Sequence, residues 1–135
     1  MASDRLRGNR DSKIVVLDSS AILMLFEFSI NLEHELTGLI GKFRIVMPNS
    51  ILKELQVLVQ KGDGRTARSA KASLKLVQKY DVEDSKDLDG DNSVLFVAEK
   101  HNGIVVTNDK ELKERAKKRK LHVVYLRGKG KLVLE

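Results

Sequence analysis

Apolar residues fall along this chain in two alternating rhythms. Continuous runs at 13–17 (KIVVL), 43–47 (FRIVM) and 103–107 (GIVVT) are short and rich in β-branched residues, which predicts strands buried on both faces. Between the first two runs, apolar residues recur at helical spacing. Ser19 or Ser20 can cap a helix carrying Ile22, Leu23, Leu25 and Phe26, and Asn31 can cap a second with Leu32, Leu36, Leu39 and Ile40, ended by Gly41. Pro48-Asn49-Ser50 is a helix-start signal before ILKELQVLVQ. A two-glycine loop at 61–64 precedes a helix over 65–79, with Ala67, Ala70, Leu74 and Val77 on one face.

A short strand at 80–82 and an acidic loop, EDSKDLDGDNS, then lead into a helix containing Val94, Leu95, Val97 and Ala98. A helix over 109–119, a strand at 122–126 and a strand at 131–134 complete the chain, the last two joined by a hairpin turn at Arg127-Gly128-Lys129-Gly130. Residues 1–12 hold one large apolar side chain, Leu6, and read as a flexible basic tail ahead of a single domain over 13–135. Alternation of buried strands with helices predicts an α/β three-layer sandwich with a mostly parallel central sheet flanked by helices. In such folds ligands bind beyond the C-terminal ends of the strands.

Two of the apolar runs stop abruptly at carboxylates, Leu17 at Asp18 and Val106 at Thr107-Asn108-Asp109. Asp18, Asp91 and Asp109 all fall at junctions into helices, where an aspartate can serve as a cap. Glu54 is different. It lies at the rim of the apolar arc formed by Ile51, Leu52, Leu55, Leu58 and Val59, so its carboxylate should be half-buried and in need of a cation. Carboxylates that converge repel one another unless a positive ion sits between them, and a hard divalent ion, Mg²⁺ or Mn²⁺, suits oxygen ligands best.

Composition narrows the chemistry. The 135 residues contain no cysteine, which excludes disulfides, thiolate metal sites and thiol nucleophiles. The three histidines, His34, His101 and His122, show no metal-ligand spacing. Counted from Asp87, DLDGDNSVLFVAE has Asn92 at the sixth position and Ala98 at the twelfth, where a Ca²⁺ loop needs glycine and glutamate, and neither KGDGRT nor RGKGKL is a phosphate-binding P-loop. A net charge of +6 favours an anionic partner, nucleic acid first. Arg68, Lys71, Lys75 and Lys79 form one basic stripe; Lys110, Lys113, Arg115, Lys117 and the following basic residues form another, extended by Arg127, Lys129 and Lys131. Aromatic residues are sparse, which predicts recognition of phosphates and shape more than base stacking. The N-terminus lacks the apolar core of a signal peptide and no apolar stretch is long enough to cross a bilayer, so a cytoplasmic protein without a membrane partner is expected.

Four segments in order, VVLDSSA, MPNSILKEL, DGDNSVLFVAEKHNG and IVVTNDKEL, make the chain resemble the PIN-domain family of metal-dependent ribonucleases over residues 13–134. The resemblance implies a PIN-like sandwich in which Asp18, Glu54, Asp91 and Asp109 bind one or two Mg²⁺ or Mn²⁺ ions at one sheet edge. Thr107 occupies the family's supporting hydroxyl position, Asn108 shapes the turn, and Asp89 can substitute for or assist Asp91. The implied activity is endoribonucleolytic, leaving a 5′-phosphate and a 3′-hydroxyl. The C-terminal segment, TNDKELKERAKKRKLHVVYLRGKGKLVLE, looks like the small-subunit rRNA-processing branch, with rRNA or its precursor as substrate. VapC-type toxins, held off by an antitoxin, share the core, and so would a non-catalytic RNA-binding module with a ribosome-assembly partner. Dimerisation is common in the family.

Overall fold

The computed structural model describes residues 12–128 and 130–135; residues 1–11 of the expected tail and Lys129 lie outside the described residues. Six strands form one sheet: β1 (Lys13–Leu17), β2 (Phe43–Pro48), β3 (Asp81–Glu83), β4 (Ile104–Val106), β5 (His122–Arg127) and β6 (Lys131–Leu134). Six helices connect them: α1 (Ser19–Glu27), α2 (Leu32–Ile40), α3 (Asn49–Lys61), α4 (Gly64–Val77), α5 (Gly90–His101) and α6 (Lys110–Lys118). The strand order is β3-β2-β1-β4-β5-β6. Every neighbouring pair is parallel except the final hairpin, where β6 runs antiparallel to β5.

This order places the site. From β1 the chain moves outward through β2 to β3, then crosses back to β4 and moves the other way to β5. β1 and β4 are therefore neighbours whose onward connections diverge, leaving a crevice at their C-terminal ends. Asp18 follows β1 and Thr107 follows β4, so both stand at that crevice. Val15, Val16, Leu17, Val105, Val106, Val123 and Val124 are shut off from solvent completely, as parallel strands covered on both faces require. α5 lies over β1, β2 and β4, α6 over β5, and α4 packs against α3 and α1.

Several boundaries differ from those the sequence predicts, each for a physical reason. Asp18, rather than Ser19 or Ser20, caps α1, its carboxylate accepting from the Ala21 N–H. The inner face of α4 includes Ser73 beside Ala70 and Val77, because the Ser73 hydroxyl donates to the Ser69 carbonyl and needs no water. β3 begins at Asp81, one residue late. α5 begins at Gly90, so Asp91 lies inside its first turn and does not precede the helix. Gly90 adopts φ +51, a conformation natural to glycine.

Gly103 sits where α5 hands over to β4. A Cβ there would stand 2.9 Å from the Ile14 carbonyl oxygen, a backbone atom of β1. Gly103→Ala therefore forces β1 and β4 apart and is expected to cost about 1–3 kcal/mol of stability, measured by urea denaturation.

Candidate functional site

Four acidic residues stand at or near the starts of four helices. Asp18 precedes α1, Glu54 lies in the second turn of α3, Asp91 in the first turn of α5, and Asp109 caps α6. Helix N-termini carry partial positive charge, which offsets part of the repulsion among these carboxylates.

Asp18 is the anchor. It is 5% exposed, and its two oxygens accept from three donors. Oδ1 accepts from the Ala21 N–H at 2.8 Å, Oδ2 accepts from the Thr107 hydroxyl at 2.6 Å, and the Ser20 hydroxyl is 2.9 Å from both. Thr107, fully buried, in turn accepts the Asp109 N–H at 3.0 Å. One hydroxyl thus ties the ends of β1 and β4 together. Asp109 Oδ1 accepts from the N–H groups of Glu111 and Leu112, so Asp109 is a cap as well as a site carboxylate.

Glu54 and Asp91 are held less tightly. Ser19 donates to Glu54 Oε2 at 2.7 Å, linking α1 to α3. α3 and α5 are joined by the Ser50 hydroxyl, which donates to Ser93 Oγ at 2.6 Å; Ser93 donates onward to the Gly90 carbonyl. Asn49 accepts from both the N–H and the hydroxyl of buried Ser85, pinning the loop before α5 to the start of α3.

Burial and neighbouring charge both act on two of these carboxylates. Burial pushes the Asp18 carboxyl above the usual range, opposed by its hydrogen bonds from Thr107, Ala21 and Ser20 and reinforced by the charge of Asp91. Asp91 is also raised, by burial first and then by Asp109, Glu111 and Glu54, against the pull of Arg115. Arg115 is the cation at hand: its Nη1 lies 3.8 Å from Asp91 Oδ2, and its Nη2 donates to Asn92 Oδ1 at 2.7 Å.

This donor set consists of carboxylates and hydroxyls, and at Asp91 the neighbouring negative charges outweigh the pull of Arg115. In donor chemistry and charge it fits a hard divalent cation. Among the described residues, no three acidic or imidazole side chains stand close enough to hold a metal ion in common. The fit is therefore one of chemistry and charge.

The other singled-out residues separate. Asn108 Oδ1 accepts the Leu126 N–H at 3.0 Å, pinning the turn after β4 to β5, which is a shaping role. Asp89 stands at the N-cap of α5, yet its side chain makes no capping hydrogen bond. Arg68, Lys71 and Lys75 lie exposed along one face of α4, whereas Lys79 is paired with Glu33. Lys113 and Lys117 both pair with Glu135, and Lys113 also sits over the Tyr125 ring at 3.5 Å; Lys110 and Arg127 are exposed. Arg119 pairs with Glu99. Sequence reasoning missed the clasp of Ser50 and Ser93 and the placement of Arg115 beside Asp91. The pairing of serines from different helices leaves no local signal, and Arg115 looks like any member of a basic run.

Comparison with known proteins agrees with this fold. Residues 15–129 match the family described as a PIN like domain. The chain is 30% identical over 135 residues to Ribonuclease VapC9 of Archaeoglobus fulgidus, covering all of this chain and 98% of that protein. It is also 30% identical over 119 residues to Ribonuclease VapC4 of Methanocaldococcus jannaschii, covering 85% and 91%. Among solved structures, the PIN domain endonuclease Utp24 superposes with a TM-score of 0.76 at 20% identity, over 93% of this chain and 92% of that one. A VapBC2 structure from Rickettsia felis, bound to a DNA fragment from its promoter, gives a TM-score of 0.60 at 16% identity over 84% and 99%. At those identities the structural likeness is one of fold. A family match across most of the sequence, relatives aligned nearly end to end and a mostly parallel sheet of the same fold lead to one conclusion: this chain belongs to the PIN-like domain family.

Proposed function

We propose that residues 13–135 form a metal-dependent endoribonuclease in which Asp18, Glu54, Asp91 and Asp109 hold Mg²⁺ or Mn²⁺ at the β1/β4 crevice. The observation that carries this reading is the buried Asp18 carboxylate, held by Thr107 where β1 and β4 end side by side. A bound divalent ion would supply Lewis-acid activation of water and neutralise charge on the phosphate. The chain's own residues do the rest: Thr107 orients Asp18, Asp109 fixes the start of α6, and the helix N-termini favour an anionic substrate. Arg115 is placed to offer charge-assisted hydrogen bonds to a phosphate beside Asp91.

Among the basic residues, Arg68, Lys71, Lys75, Lys110 and Arg127 are the better candidates for holding the RNA backbone, because Lys113 and Lys117 already satisfy Glu135. Replacing Lys71 and Lys75 together with Gln is expected to weaken RNA binding and to reduce the salt slope of log K by about 1.4 on single strands, read by fluorescence anisotropy. The same change at Lys113 and Lys117 should alter the slope by less than half as much.

The rRNA-processing assignment is supported by the look of the C-terminal segment. A toxin restrained by an antitoxin is supported by the names of the two ribonuclease relatives. Both share one chemistry, tested by Mn²⁺-dependent cleavage of RNA and its suppression by chelator and by Asp109→Asn. Cleavage with 5′-phosphate products supports the reading. RNA binding without cleavage in any divalent metal would instead favour a non-catalytic RNA-binding module. Among the described residues no helix is long and apolar enough to cross a membrane.

A further inference from the structure

Next to Glu54, α3 carries a partly apolar stripe that runs outward from buried Ser50 to exposed Lys53 and Val57. Ser50, Lys53, Glu54, Val57 and Leu58 follow one another at i, i+3, i+4, i+7 and i+8, so they share one stripe of the helix. With Asp89 from the start of α5 they line an open hollow of about 390 Å³. Ile51 and Leu55, on the inner face, already fill the core, whereas Val57 remains 48% exposed at the hollow's wall. Asp89 brings a carboxylate that caps nothing.

We propose that this hollow is a subsite for one unpaired nucleobase of the RNA, adjacent to the bond that is cut, with guanine preferred; the proposal rests on the nuclease reading. The charges determine which part of a nucleotide enters. Asp89, a carboxylate outside the four residues assigned to the metal, repels a phosphate but accepts hydrogen bonds from N–H groups. Val57 and Leu58 offer an apolar wall to the flat face of a base. Lys53, exposed on the same stripe, takes the adjoining phosphate. Of the four bases, guanine presents two N–H donors side by side on its Watson–Crick edge, the arrangement a carboxylate accepts with both oxygens. A paired base has that edge occupied, so a duplex cannot use the hollow.

The test is sequencing of the cut ends from a pool of unpaired 20-nucleotide RNAs of random sequence, with Mn²⁺, for wild type, Val57→Asp and Asp89→Asn. Wild type is expected to enrich guanine several-fold at one position flanking the cut and to cut unpaired RNA at least ten-fold faster than the same pool in duplex form. Both variants should lose the enrichment while still cutting, Val57→Asp with KM raised about ten-fold and kcat little changed. Val57 is exposed, so its variant keeps the fold, checked by its melting temperature. Cutting without base preference, a preference unchanged in both variants, or equal rates on duplex would overturn the subsite alone. Loss of all cutting in Asp89→Asn would overturn the base-reading role and mark Asp89 as part of the metal-holding set. If wild type cuts no RNA, the nuclease reading fails first and the subsite falls with it.

Discussion

Asp18→Asn is expected to lower RNA cleavage by more than about 100-fold, since even groups one step behind a metal ligand are worth about 10- to 100-fold. Stability should fall by about 1–3 kcal/mol at most, because the amide keeps most of the hydrogen bonds but leaves the buried Thr107 hydroxyl without its acceptor. Its oxygen still accepts from the Ala21 N–H and Ser20, and its NH₂ can donate to the second lone pair of Thr107 Oγ1. The gain on the other side is electrostatic. The folded-state pKa of Asp18 lies above its ordinary value, so the folded chain binds that proton more tightly than the unfolded one. Its contribution therefore turns against folding as pH rises from the ordinary carboxylate range through the raised folded value. Asn removes that penalty. Rates and melting curves measured together at neutral pH would separate the two effects; a variant that keeps its activity would remove Asp18 from the chemistry.

Thr107→Val is the second large effect, and here stability and activity fall together. Valine fills the same space, but the Asp18 carboxylate loses its shortest hydrogen bond and the Asp109 N–H loses its acceptor. Leaving such a group without a partner costs about 1–3 kcal/mol. Without the hydroxyl, the strongest influence lowering the Asp18 pKa is gone, so that pKa climbs further. The acid limb of the cleavage rate should move to higher pH, and the neutral-pH rate should drop about ten-fold or more, within the range for groups that orient ligands. Thr107→Ser keeps the oxygen and should restore both. A pH profile identical to wild type in Thr107→Val would show that the hydroxyl does not tune Asp18.

The elements that position Asp18 and Asp109 were legible because β1 and β4 are unbroken apolar runs, and such a run can end only where the sheet edge meets water. The sequence left Asp18 competing with two serines for the cap of α1. Burial decides it: only a side chain that reaches Ala21, Ser20 and Thr107 at once has its charge satisfied there. The start of α5 was hidden for the opposite reason. Gly90, Asp91, Asn92 and Ser93 look like loop, yet Ser93 is wholly buried and spends its polarity on Gly90 and Ser50. The fate of the basic residues was not legible at all, since Lys79, Arg115, Lys117 and Arg119 find their acidic partners on other elements.

The order of the strands has a further meaning. One half of the sheet, β1 to β3, is made by the chain up to Glu83, and the other, β4 to β6, by the chain after the loop at 84–89. The acidic set divides at the same place, Asp18 and Glu54 before it, Asp91 and Asp109 after it. Neither half alone owns a complete set. Cutting power would thus be a property of the joined halves, and a polypeptide interrupted within 84–89 would be harmless to RNA until its two pieces found each other.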